Sequence, residues 1–266
     1  MFRRPSGEAG EVDPKWLAGI ESRFKPDGVK PWWGFLREEI SARVGACCRP
    51  IVLDVGCGTV CDYFAGLAGR PGHFLGIDPD PVGRRNEQID QFARASAYQI
   101  PLRGESVDVV IAAWVLEHLR DPEAALREFH RVMKPGGWLF AWTPNLLNYG
   151  IFLSRLTPNR FHNWVRGLGH RGEDTDNPPV YYRANTRGTL ERHLRRAGFT
   201  AEMTLCYGAN AYNYWSFSRP LYAAAVVGSR LASAGRFEFL KGALVVACSK
   251  PCAECGASVA QALASG

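Results

Sequence analysis

Residues 51–58, Ile-Val-Leu-Asp-Val-Gly-Cys-Gly, decide the fold of this 266-residue chain. The apolar run around Asp54 predicts a short buried strand, and the glycines predict a tight turn directly after it. Because glycine has no side chain, a ligand can lie against the bare backbone of Gly56 and Gly58. The stretch therefore predicts a strand that ends in a ligand-binding loop.

Strands and helices alternate along the rest of the chain. Asp121 is placed to cap a helix that begins at Pro122, and Pro135-Gly136-Gly137 is expected to end it. This alternation favours parallel strands joined by right-handed crossovers, which is an α/β fold. The sequence predicts helices at 32–44, 59–68, 122–133 and 186–197, and strands at 51–55, 74–77, 107–112, 138–142, 199–206 and 243–248.

A carboxylate follows the second predicted strand. Asp78 lies twenty positions after Gly58, and a carboxylate at such a strand end can accept hydrogen bonds from both hydroxyls of a ribose. Ligands of doubly wound sheets bind at the carboxyl ends of the strands. The glycine loop and Asp78 together predict a nucleoside-containing cofactor without deciding which one.

An ordered set of motifs spans residues 53–137. Its parts are Leu-Asp-Val-Gly-Cys-Gly at 53–58, Asp78, Ile-Pro-Leu at 100–102, Val-Asp-Val-Val at 107–110, Leu-Glu-His at 116–118 and Met-Lys-Pro-Gly-Gly at 133–137. This set resembles class I S-adenosylmethionine-dependent methyltransferases of the type 11-like kind, especially the bacterial subgroup that includes ubiquinone-type enzymes.

The resemblance implies a Rossmann-like methyltransferase fold: a mostly parallel seven-stranded sheet, helices on both faces, and lid insertions. It also implies S-adenosyl-L-methionine as the cofactor and a set of residues around it. The implied cofactor-binding residues are Asp54, Gly56, Cys57, Gly58, Asp78, Pro79, Ser96, Ala97, Ala113 and Trp114.

Two positions depart from the family pattern. Val60 stands where a third glycine is common, and Ser96 stands where an aspartate often accepts a hydrogen bond from the adenine amino group. A valine crowds the loop, and a serine hydroxyl accepts more weakly than a carboxylate. Both departures bear on cofactor affinity and not on cofactor identity.

Two irregular stretches interrupt the alternation, and such insertions are usually lids or binding loops. We expect the first of them to form a lid over the acceptor. The expected organisation is an N-terminal lead-in and helix at 1–48, the cofactor-binding half of a Rossmann-like domain at 49–145, a lid or acceptor insertion at 146–184, the C-terminal half of the same domain at 185–250 with an insertion near 207–239, and a flexible tail at 251–266.

The first insertion carries a second, less specific resemblance. Residues 155–164, Arg-Leu-Thr-Pro-Asn-Arg-Phe-His-Asn-Trp, and 181–186, Tyr-Tyr-Arg-Ala-Asn-Thr, are similar to bacterial methyltransferases associated with surface polysaccharide or glycoconjugate synthesis. Aromatic faces can stack on sugar rings, and arginines can hold phosphate or carboxylate groups. Alternatively, the aromatic residues only pack the insertion. The implied substrate residues are Arg160, Trp164, Tyr181, Tyr182 and Arg183.

Methyl transfer from a sulfonium is an in-line displacement, so the protein mainly aligns donor and acceptor. An oxygen acceptor must also lose a proton, for which His118 and His162 are the candidate catalytic bases, followed by Asp174 and Asp176. The expected reaction is O-methylation of a sugar or glycoconjugate precursor. Alternatives are a small aromatic, quinone-like or lipid acceptor, an NAD(P)-dependent oxidoreductase, or an inactive binding relative.

Composition adds expectations about partners and location. The net charge of +6, mostly from arginine, favours phosphorylated substrates or an anionic membrane surface, or reflects arginine-rich codon usage. No nucleic-acid recognition module is visible. Cys252 and Cys255 have metal-ligand spacing without a second pair, so no metal is expected.

Without a secretory signal or an apolar run of about 20 residues, we expect a cytoplasmic protein with at most peripheral contact to the inner membrane. The oligomeric state stays open.

Overall fold

The computed structural model describes residues 15–16, 19–20, 38–43, 49–59, 72–148, 179–207, 219–234 and 241–252. The chain divides into two compact units. The sheet unit comprises Trp33–Thr143, Val180–Leu205 and Leu244–Gly266. The second unit comprises Met1–Trp32, Pro144–Pro179 and Cys206–Ala243.

The strands of the sheet lie in the order β3-β2-β1-β4-β5-β7-β6. Every pairing whose register is described, β1 with β2, β1 with β4, β2 with β3 and β4 with β5, is parallel. The predicted Rossmann-like arrangement, a mostly parallel sheet with helices, is thus confirmed. The strands are β1 (Ile51–Val55), β2 (His73–Asp78), β3 (Gln91–Arg94), β4 (Val107–Ala113), β5 (Met133–Pro144), β6 (Thr200–Tyr207) and β7 (Ala243–Ser249).

The strand order reverses between β1 and β4. From β1 the chain proceeds outward to β2 and β3, and then returns to place β4 on the other side of β1. Such a reversal leaves a crevice at the carboxyl ends of the two strands, where ligands of open α/β sheets bind. The loops after Val55 and Ala113 lie at this crevice.

The central strands form the core because they are apolar on both faces. Val52, Leu53, Val110 and Ile111 are fully buried, as expected for parallel strands covered by helices. Helix α1 (Pro122–Val132) buries its apolar side chains, including Phe129, and helix α2 is Arg187–Arg196.

Two of the four predicted helix starts are confirmed, whereas the start at 32 and nearly all of the helix predicted at 59–68 lie outside the described residues. The Asp121 side chain accepts a hydrogen bond from Ala124 N at 3.0 Å, and Pro122 is the first residue of α1. Thr186 caps α2 through a reciprocal capping box with Thr189, which satisfies backbone donors that the helix itself leaves open.

One local prediction is corrected, and one strand was not predicted. Pro135-Gly136-Gly137 does not form the turn that ends α1, because α1 already ends at Val132 and these residues belong to β5. The register between β4 and β5 shifts there, from Val107 opposite Met133 to Val109 opposite Trp138, so the extra residues form an irregularity within the strand. Strand β3 was not predicted, since its four residues carry too short a pattern.

In the second unit, helix α3 (Arg219–Ala234) includes the predicted apolar helical segment around Leu221 to Val227. Tyr222 and Val226, four positions apart on one face, are buried and pack against Trp16 and Ile20. None of the described helices is long and apolar enough to cross a membrane.

Candidate active site

The loop after β1 depends on glycine at two positions. Gly56 and Gly58 have φ angles of 71° and 48°, in the left-handed region that side chains disfavour. A Cβ on Gly56 would lie 2.6 Å from Cγ2 of Val115, whereas one on Gly58 would meet none of the described residues within 4 Å. Gly56 is therefore required by packing, and no described residue crowds Gly58.

Asp78 connects the end of β2 to this loop. Its Oδ2 accepts a hydrogen bond from Gly58 N at 3.1 Å, and its Oδ1 accepts one from Asp80 N at 2.8 Å. The carboxylate is half-buried, and each oxygen keeps a lone pair for a further donor. Asp78 is thus oriented at the carboxyl edge of the sheet, where the ribose of a nucleoside was predicted to bind.

Cys57 and Asn86 hold the loop from the inside. The amides of Gly56 and Cys57 both donate to Ile77 O, and Asn86 Nδ2 donates to Cys57 O at 3.0 Å. The Cys57 thiol is 2% exposed, and burial, followed by the charges of Asp54 and Asp78, raises its pKa to about 12. Cys57 therefore contributes packing rather than a nucleophile.

The remaining predicted cofactor residues lie along the same edge. Asp54 is fully buried near the end of β1. Pro79 is exposed, and its carbonyl accepts from Arg94 Nε at 2.8 Å. Ser96 Oγ accepts a weak bond from Tyr98 N at 3.3 Å, and Ala97 is buried beside it.

Trp114 has an unusual backbone conformation. It follows Ala113, the last residue of β4, with a φ of 56° and a side chain that is 40% exposed. Its amide donates to Trp142 O at 3.0 Å. Bulky residues with a left-handed backbone conformation are outliers, and such outliers cluster at functional sites. The conformation of Trp114 therefore supports its predicted place beside a ligand.

The Leu-Glu-His stretch forms a short 3-10 turn after β4. His118 is half-buried, whereas Glu117 is buried and its carboxylate accepts from Thr143 Oγ1 at 2.9 Å. Asn185 Nδ2 in turn donates to Thr143 Oγ1 at 2.6 Å. Burial raises the pKa of the Glu117 carboxyl, while its hydrogen bonds and the neighbouring His118 act in the opposite direction.

The two predicted substrate tyrosines lie directly at this turn. The amides of Tyr181 and Tyr182 both donate to Glu117 O, at 2.7 and 3.2 Å. Arg120 Nε donates to Tyr181 Oη at 2.7 Å, and Arg183 is exposed. The fold therefore brings Tyr181 and Tyr182 next to His118.

Other predicted residues lie outside the described residues. These are His162, Arg160 and Trp164, the remainder of the predicted lid between 149 and 178, and Cys255. Conversely, Asn86, Val115 and Thr143 were not singled out from the sequence, which carries no recognisable signal for them. Asn185 belongs to the Tyr-Tyr-Arg-Ala-Asn-Thr stretch and could have been found there.

Comparison with known proteins relates the carboxyl edge of the sheet to methyltransferases. The methyltransferase domain family matches residues 53–141, from β1 to β5. A probable S-adenosylmethionine-dependent methyltransferase of Mycolicibacterium smegmatis is 29% identical over 208 residues, which are 75% of this chain and 72% of that relative. Five further uncharacterised methyltransferases match over only 44–51% of their own length.

Solved structures share the fold at low sequence identity. An S-adenosylmethionine-dependent methyltransferase from Mesorhizobium loti has a TM-score of 0.50 and 18% identity over 84% of this chain and 99% of that chain. A geranyl diphosphate C-methyltransferase from Streptomyces coelicolor, solved with Mg²⁺, geranyl diphosphate and S-adenosyl-L-homocysteine, has a TM-score of 0.52 and 12% identity over 93% and 90% of the two chains.

The described residues fit S-adenosylmethionine, which carries a cationic sulfonium and a ribose. The negative potential of Asp54 and Asp78 that contributes to the raised pKa of Cys57 favours a cationic ligand for the same electrostatic reason. No described residue lies within 4 Å of a Cβ placed on Gly58, so this part of the structure does not crowd a ligand against the loop. This chain is therefore an S-adenosylmethionine-dependent methyltransferase with the class I fold.

Proposed function

We propose that the enzyme transfers the methyl group of S-adenosylmethionine to a hydroxyl of a sugar or glycoconjugate precursor, with His118 as the general base. The observation that carries this proposal is the attachment of Tyr181 and Tyr182 to the carbonyl of Glu117, the residue before His118. It attaches the backbone of two residues with aromatic, polar-tipped side chains to the short turn that carries His118, after the carboxyl end of β4.

The cofactor would be held at the reversal between β1 and β4. Asp78 is oriented to accept from ribose hydroxyls, and Gly56 and Gly58 shape the backbone that approaches the methionine part. Asp54, Pro79, Ser96, Ala97, Ala113 and Trp114 would complete the surroundings. Bound S-adenosylmethionine supplies a methyl group that its sulfonium already activates.

His118 would accept the proton that the acceptor hydroxyl loses. Imidazole has a suitable proton affinity for this task near neutral pH. His118 is half-buried and its amide donates to Val115 O at 2.9 Å, so the short turn after β4 orients the residue.

The acceptor would lie against Tyr181 and Tyr182, with Arg183 available for an anionic substituent. Tyrosine offers an apolar face for a sugar ring and a hydroxyl for hydrogen bonding. Guanidinium groups bind phosphate and carboxylate in two-pronged geometry, which suits a phosphorylated precursor. Arg160, Trp164 and His162 stay predictions from the sequence, because they lie outside the described residues.

The test is a panel of acceptors assayed for production of S-adenosylhomocysteine with the full chain. The panel contains nucleotide sugars, free monosaccharides, catechols, quinols and prenyl lipids. We expect turnover with sugar-containing acceptors and product that carries a new methyl ether. Turnover confined to quinols or catechols would replace this proposal by the small-aromatic alternative, and turnover confined to prenyl lipids by the lipid alternative.

A further inference from the structure

A buried polar network joins three segments of the sheet unit that are distant in sequence. Glu117 is 4% exposed, and Thr143 and Asn185 are fully buried. Asn185 Nδ2 donates to Thr143 Oγ1 at 2.6 Å, and Thr143 Oγ1 donates to Glu117 Oε2 at 2.9 Å. The three residues lie after β4, near the end of β5 and just before α2, respectively.

The hydrogen bonds of this network run in one direction. The amide of Asn185 donates to the hydroxyl of Thr143, which uses its single proton to donate to Glu117. Each such bond polarises the next, and a buried network of this kind specifies one arrangement of its members. Thr143 is therefore a relay whose hydroxyl no apolar side chain can replace.

Glu117 also holds the same distant segment through its backbone. Its carbonyl accepts from the amides of both Tyr181 and Tyr182. Tyr182 has a φ of 52°, a conformation that a bulky side chain adopts only when its surroundings impose it. Glu117 thus binds residues 181–185 at two points, by its carbonyl at the beginning and through Thr143 at the end.

We infer that Glu117 is the positioning residue of the acceptor side, which sets the place of Tyr181 and Tyr182 relative to His118. This inference rests on the proposed function, because it assigns these tyrosines to the acceptor. Glu117 acts through its neighbours and need not touch substrate.

The burial of Glu117 is consistent with this role. Burial raises the pKa of its carboxyl, which favours the neutral form, and a neutral carboxyl is less costly to bury than an ion. A glutamine should therefore replace it well, because its side-chain carbonyl can accept the Thr143 hydrogen bond.

The experiment compares Glu117→Ala with Glu117→Gln, and with Glu87→Ala as a surface control. Hydrogen exchange followed by mass spectrometry measures the protection of residues 181–185. We expect Glu117→Ala to lose about tenfold or more of this protection by local opening, whereas Glu117→Gln and Glu87→Ala retain it. S-adenosylhomocysteine affinity, measured by calorimetry, should stay within about twofold in all three, since the glycine loop is untouched.

Unchanged protection in Glu117→Ala, or equal loss in Glu117→Ala and Glu117→Gln, would overturn the inference. If Glu117→Ala fails to fold, Thr143→Val and Thr143→Ser replace it. Valine removes the relay hydroxyl at nearly constant shape, and serine keeps it. Loss of protection in Thr143→Val alone supports the inference, and wild-type protection in Thr143→Val overturns it.

With the acceptor found in the panel, kinetics add a readout that a purely structural role would not change. Displacement of the tyrosines should lower kcat/KM for the acceptor by about 10- to 100-fold, while KM for S-adenosylmethionine stays constant, and Glu117→Gln should restore activity. The exchange measurement needs no acceptor. Failure of the proposed function, such as turnover of quinols only, is therefore distinguishable from failure of this positioning role.

Discussion

The cofactor loop and the acceptor side of the sheet unit are built in different ways. The loop is formed by residues 51–58 and Asp78, which lie at the ends of two adjacent strands and meet across 20 positions. The acceptor side joins Glu117, Thr143 and Asn185, whose hydrogen bonds span 26 and 42 positions. The first region is encoded by a local motif, and the second exists only once the sheet has formed.

The two regions also differ in charge and access. The loop combines the carboxylates of Asp54 and Asp78 with a glycine, Gly58, that no described residue crowds, as suits a cationic ligand. The acceptor side buries Glu117 and presents partly exposed tyrosines. Substitutions should therefore separate cofactor binding from methyl transfer.

The largest effect is expected for His118→Ala. Loss of a general base typically lowers the rate by about 10²–10⁴-fold, so turnover should fall by that much while S-adenosylhomocysteine affinity stays nearly unchanged. Steady-state kinetics against pH, paired with calorimetry, measure both quantities. Equal loss of turnover and cofactor binding would show that His118 belongs to the cofactor region, and the two regions would then not be functionally separate.

Asp78→Ala should show the reverse pattern. Removing a carboxylate that accepts hydrogen bonds from the ligand should weaken S-adenosylmethionine binding by about 1.5–3 kcal/mol. The KM for the acceptor should change little. Calorimetry with Asp78→Ala and Asp78→Asn measures the effect, and asparagine, which can still accept from Gly58 N, should lose less. Wild-type affinity in both variants would refute the assignment of Asp78 to the ribose.

Gly56→Ala and Gly58→Ala form a matched pair within the loop. Both alanines suffer the left-handed backbone, but only the one at 56 also collides with Val115. We expect Gly56→Ala to lower the free energy of unfolding by about 1–2 kcal/mol more than Gly58→Ala, from overpacking. Urea denaturation measures this difference.

The double variant Gly56→Ala/Val115→Ala sharpens the glycine comparison. It should recover most of the additional loss, because the collision is removed while the backbone strain remains. Gly58→Ala, in contrast, should mainly reduce cofactor affinity, since its Cβ meets no described residue within 4 Å and would occupy the ligand side of the loop. Equal stability of Gly56→Ala and Gly58→Ala would mean that Val115 moves aside at little cost.

The smallest effect concerns the titration of Cys57. Its pKa is raised from 9.0 to about 12 in the folded chain, so above pH 9 the unfolded thiol ionises while the folded one stays protonated. Stability is thus fully present below pH 9 and is lost as the pH rises toward 12, by at most about 1.4 kcal/mol per pH unit. Urea denaturation at pH 8 and 10 should show a steeper loss in wild type than in Cys57→Ser.

Much of the fold and half of the site follow from the sequence. Repeated apolar runs such as 107–112 predict buried strands, and Asp121-Pro122 predicts the start of α1, because capping and proline geometry are local. The four-residue β3 and the irregular start of β5 were missed, since pairing with neighbouring strands decides them. Tyr181 and Tyr182 were selected from the sequence, but the hydrogen bonds of their amides to the Glu117 carbonyl were not predicted.

The sequence by itself determined the class of enzyme and its cofactor loop. Residues 53–58 and Asp78 belong to consecutive strands of one crossover unit, so short-range order suffices to align them. Only the tertiary structure decided that Glu117, Thr143 and Asn185 meet, and that Val115 covers Gly56. Those contacts join segments that are distant in sequence and that the order of strands in the sheet brings together. Once such segments are packed, a buried polar group pairs with the partner that lies beside it in the fold.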